Sequence, residues 1–77
     1  MSSSYLNFVN LGIPEGNKMP VYAVENKQIE RLGLVRFNGA WRKYTFHPES
    51  GMLFDSTCLL EIATFCSSAT AKWREGL

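Results

Sequence analysis

The sequence predicts an α+β domain in two layers, an antiparallel meander of three or four strands packed on one C-terminal helix. Three observations carry that prediction. Short β-branched and aromatic runs fill the first two thirds of the chain; Asn38-Gly39 sits between two alternating runs; and an amphipathic helical pattern follows Asp55.

The runs "YLNFVNLG" and "MPVYAVEN" read as the first two strands, and "IPEGNK" between them supplies the turn formers Pro14 and Gly16. Pro20 suits the first residue of a strand or an edge. Asn38-Gly39 fits a two-residue type I′ turn, which makes "RLGLVRF" and "AWRKYTFHP" a hairpin. That loop sets Phe37 against Ala40, Arg36 against Trp41, Val35 against Arg42 and Gly33 against Tyr44. The period of two then gives a core face of Gly33, Val35, Phe37, Ala40, Arg42, Tyr44 and Phe46, with Tyr44 lying over the glycine. The other face carries Leu32, Leu34, Arg36, Trp41, Lys43 and Thr45. Pro48 ends the hairpin, Asp55 is an N-cap, and the helix runs from about Ser56 to Arg74 with Gly76 as its stop. At 100° per residue its apolar stripe is Leu59, Ile62, Cys66, Ala69 and Trp73, flanked by Cys58, Ala63 and Phe65.

With 77 residues the chain is one domain, 1–77, its first four residues a frayed start. A chain of this length buries only about 60 to 65% of its unfolded surface, so its core is thin. Cys58 and Cys66 lie eight residues apart on the helix, about 12 Å along its axis, too far for a disulfide. Two thiols and one histidine also fall short of a structural zinc set. No cofactor or metal is expected. Reduced thiols, no signal-peptide pattern and no apolar run of membrane-spanning length lead to the expectation of a soluble cytoplasmic protein with no membrane partner.

Net charge is +1, unevenly spread. Lys27, Arg31, Arg36, Arg42 and Lys43 face only Glu30 in the middle of the chain, a balance of +4, while the remainder balances at −3. The tetrapeptide "WRKY" at residues 41 to 44 matches the plant zinc domain of that name in four letters only, without its continuation or zinc set, and is read as hairpin. Catalysis is not expected. His47 has no foreseeable partner, and Cys58, although near a helix N-terminus, reads as a small apolar residue.

The surplus of large apolar groups beside cations marks a binding surface, Leu32, Leu34, Arg36, Trp41 and Lys43. In the competing reading the N-terminal segment, with Tyr5, Phe8 and Val9, folds across that face.

The stretch from Leu34 to Phe65 resembles a group of small proteins encoded by phages and prophages. The pattern is Trp-Arg-x-Tyr-x-Phe, then Pro, then Phe-Asp before Cys-Leu-x-Glu-Ile-Ala, here Trp41, Arg42, Tyr44, Phe46, Pro48, Phe54, Asp55, Cys58, Leu59, Glu61, Ile62 and Ala63. The resemblance implies no activity and no catalytic residues. It implies a phage setting, and with it a non-enzymatic protein-interaction module that inhibits or modulates a host or defence protein. Nucleic-acid binding through the basic, aromatic hairpin face is the alternative, and a structural homodimer is the third.

Overall fold

The computed structural model describes residues 5–76; the expected fraying of residues 1–4 lies outside them. Four strands, β1 (Leu6–Asn10), β2 (Tyr22–Asn26), β3 (Arg31–Asn38) and β4 (Lys43–Pro48), precede one helix, α1 (Ser56–Glu75). The sheet is an antiparallel meander in the order β1-β2-β3-β4. Its helix-facing side and α1 enclose a core of Leu6, Val24, Leu32, Val35, Tyr44 and Ile62, as the expected two-layer fold requires.

The turn between β1 and β2 uses Pro14, whose carbonyl accepts from Asn17 at 3.0 Å, and Gly16, whose φ of +83° an L side chain tolerates poorly. The stretch with Tyr5, Phe8 and Val9 does not fold across the outer face; Leu6–Asn10 extends the sheet as its edge strand. Phe8 lies on the helix side, stacked on Phe65 at 4.2 Å, and Val9 lies on the opposite side.

The β3–β4 hairpin departs from the expected two-residue loop. Asn38 pairs with Lys43, so residues 39 to 42 form the reversal. The Asn38 carbonyl accepts from the Arg42 N–H at 2.8 Å and its side chain accepts from the Trp41 N–H at 3.1 Å. The left-handed residue is Arg42, at φ 57°, rather than Gly39. The physical reason is pairing. A two-residue loop would set Val35 against Arg42 and bury a guanidinium, whereas the longer loop sets Phe37 against Tyr44 and Val35 against Phe46. Arg42 and Ala40 therefore leave the core face for an exposed loop. The offset between the two registers is four residues, an even number, so residues 33 to 37 and 43 to 46 keep the faces expected of them. Phe46, not Tyr44, lies over Gly33.

Leu32 is the second correction. The β2–β3 ladder shifts between Val24 and Glu25, which pair with Gly33 and Arg31 and leave Leu32 as the extra residue of a bulge. The bulge breaks the period of two and turns Leu32 into the core, 8% exposed.

Asp55 caps α1 as expected, its carboxylate accepting from the Cys58 N–H at 2.9 Å. The buried stripe is rotated from the expected one. Cys58, Ile62, Phe65, Cys66, Ala69, Thr70 and Trp73 face the sheet, while Leu59 is 50% exposed and Ala63 is exposed. Two polar contacts explain the rotation. Thr70 Oγ1 accepts from the Tyr44 N–H at 2.9 Å, which closes part of the free edge of β4. Glu61 accepts from the Tyr5 and Leu6 N–H groups at 3.0 and 3.3 Å at the start of β1.

Candidate functional site

Strand direction places every loop at one of two ends. The β1–β2 loop, the β3–β4 loop and the C-terminus of α1 share one end, since Thr70 meets Tyr44 and the Trp73 ring packs tilted against Phe37 with ring centroids 4.7 Å apart. That end carries Lys18, Arg36, Arg42, Lys43, Lys72 and Arg74 against Glu15 and Glu75, a balance of +4. The other end, with the β2–β3 turn, the residues linking β4 to α1 and the helix N-terminus, carries Glu25, Glu30, Glu49, Asp55 and Glu61 against Lys27 and Arg31, a balance of −3. The chain is thus a charge dipole, although its net charge is only +1. Lys72 and Arg74 in the last helical turn also complement the negative end of the helix dipole.

Trp41 stands on the β3–β4 loop of the basic end, 65% exposed. Arg36 and Lys43 lie diagonal to one another on the outer sheet face, through the pairs Arg36 with Thr45 and Asn38 with Lys43, and both are exposed. Arg36 faces Thr45, so the expected cross-strand pair of Arg36 with Trp41 does not form. Of the five expected surface residues, three therefore gather at the basic end. Leu34 lies on the same outer face, half-buried, and Leu32 is lost to the core.

A cleft of about 560 Å³ opens beside them. Its apolar surface is Met19, Val21, Phe37 and Trp73, with Lys18 and Arg36 alongside, and among the described residues that line it none is acidic. Sequence reasoning missed this site because its walls come from three elements far apart in the chain. Trp73 lies on the helix stripe and Phe37 on the core face, as expected, but neither pattern shows that the two rings meet.

The groups considered for chemistry are poorly disposed for it. His47 is exposed, its Nε2 3.0 Å from the Thr45 hydroxyl. Burial and the neighbouring Asp55 push the Cys58 thiol up rather than down, and burial does the same to Cys66; both cysteines are free and half-buried. Among the described residues no group of three or more His, Cys, Asp or Glu could hold a metal ion, and no helix is long and apolar enough to cross a membrane.

Fold and site together define a small single-sheet α+β protein with one basic, aromatic end. A 9.3 kDa protein of Acholeplasma phage L2, described as uncharacterized, is 30% identical over 64 residues, covering 83% of this chain and 82% of that protein. The chain belongs to the same phage protein family. No known family profile and no solved structure matches it.

Proposed function

We propose that this phage protein is a non-enzymatic protein-interaction module that captures a host or defence protein and inhibits or redirects it. The observation carrying the proposal is the coincidence of exposed Trp41 with the six cations of the basic end, in a chain whose net charge is +1. An exposed indole at an end rich in arginine is the composition of contact hot spots. The partner surface complementary to it is acidic, with an apolar recess for the indole. Burial raises the Cys58 thiol pKa and makes it a poorer nucleophile, which favours binding over catalysis.

The test is affinity capture from host lysate with the wild-type chain and Trp41→Ala, after nuclease treatment. A host protein retained by the wild type and lost by a variant of unchanged melting temperature is the expected result. Unfolding of Trp41→Ala would assign the indole a structural role and remove the proposal.

Nucleic-acid binding is the second reading, favoured by the same cations interleaved with an aromatic ring. It requires a Kd that weakens steeply with salt and a slope reduced by Arg36→Ala with Lys43→Ala. No shift of any oligonucleotide at low salt would eliminate it.

A further inference from the structure

The cleft exists because the β2–β3 ladder stops early. Its last pair is Tyr22 with Val35. Two residues further on, Pro20 would stand against Phe37, and proline has no N–H to give the Phe37 carbonyl. The Glu49 N–H donates to the Leu32 carbonyl at 2.9 Å on the β4 side, so by alternation Gly33, Val35 and Phe37 direct their backbone groups toward β2. On its other side the chain stays tied to the segment after β1, where the Val21 N–H bonds to the Gly12 carbonyl at 3.0 Å. The backbone of Phe37 is thus left facing the cleft, with Met19, Val21 and Trp73 around it and two exposed cations, Lys18 and Arg36, beside it.

We infer that this cleft binds an extended acidic peptide segment, whose backbone takes the place β2 vacates beside Phe37. An apolar side chain of the segment rests on the Phe37 and Trp73 rings, and a neighbouring carboxylate meets Lys18 and Arg36. Three observations select that ligand. The volume, about 560 Å³, falls among ordinary ligand sites. Strand addition pairs an extended peptide with backbone groups that a sheet leaves open, as at Phe37. The charge along the cleft is of one sign, so a basic or neutral segment gains nothing from it. The inference rests on the protein-interaction reading and names where, within the basic end, a partner's peptide is held.

The experiment is a titration of the ¹⁵N-labelled chain, followed by amide shifts, with three probes: a blocked tetrapeptide Leu-Asp-Phe-Glu, its neutral counterpart Leu-Asn-Phe-Gln, and a thymidine hexanucleotide. The acidic peptide is expected to move the backbone amides of Val21 and Phe37 and the indole N–H of Trp73. Removing the cations with Lys18→Gln and Arg36→Gln, both at exposed positions that leave the fold intact, should weaken binding about 2- to 5-fold for each, the range of solvent-exposed ion pairs. Equal binding of the neutral peptide, a stronger response of the same amides to the nucleotide, shifts confined to the Trp41 loop, or no shift at millimolar peptide would each overturn the inference. Shifts confined to the Trp41 loop would do so while leaving the interaction module standing, because that module is read separately from host-protein capture by Trp41→Ala.

Discussion

Gly33→Ala tests the register on which the position of the basic end depends. A Cβ on Gly33 would stand 2.5 Å from the His47 carbonyl oxygen and 2.7 and 2.8 Å from two ring carbons of Phe46. Ordinary contact begins near 3.4 Å, so the His47 carbonyl would have to recede by about 0.9 Å. That oxygen belongs to a ladder pinned by the pairs Gly33 with Pro48 and Leu34 with His47, and cannot swing away as a side chain would. Overpacking of this kind costs about 1–3 kcal/mol. Removing a strand glycine returns about 0.5–1 kcal/mol of backbone entropy. The middle of those ranges leaves a net loss of about 1 kcal/mol, which for a domain of this size lowers Tm by roughly 4–8 °C. Thermal unfolding followed by circular dichroism measures it. Adding Phe46→Leu should recover only part of the loss, because the ring can shrink and the carbonyl remains. An unchanged or higher Tm for Gly33→Ala would refute the reasoning, since with Tyr44 across from Gly33, as a two-residue loop demands, neither the His47 carbonyl nor the Phe46 ring need crowd the new methyl group.

Thr70→Val leaves the buried Tyr44 N–H without its acceptor and should cost about 1–3 kcal/mol in urea unfolding; a neutral result would mean that water replaces the hydroxyl. Ile29 is a β-branched residue at φ 64° and 76% exposed, so Ile29→Gly should raise stability by about 0.5–1 kcal/mol, the relief of left-handed strain exceeding the entropy that the added glycine costs, with little packing to lose. The Cys58 N–H holds the Asp55 carboxyl below its usual range. A depressed carboxylate contributes stability above its unfolded pKa and loses it as pH falls through the folded value. The advantage of the wild type over Asp55→Asn should therefore fade below about pH 4, a comparison that melting curves across pH can make.

The sequence alone determined much of the architecture, because short-range chemistry settles it. Turn formers at Pro14, Gly16 and Asn38-Gly39, alternation in residues 31 to 46, and the Asp55 cap are local signals, and each marks an element of the structure. Faces on the hairpin were legible even though its loop was not, since parity survives any even offset. Three things were decided only by tertiary structure. The loop length followed from pairing Val35 and Phe37 with aromatic rings, an energy that exists only once both strands meet the helix. Leu32 went inward because a bulge opposite Val24 and Glu25 reversed its side, and a bulge depends on the partner strand. The charge dipole arose because antiparallel topology returns distant segments to the same end: Lys18, Arg36 and Arg74 become neighbours in charge, whereas Arg31, five residues from Arg36 in the chain, goes to the opposite end. Periodicity along a chain reports faces; only the path of the chain through space reports ends.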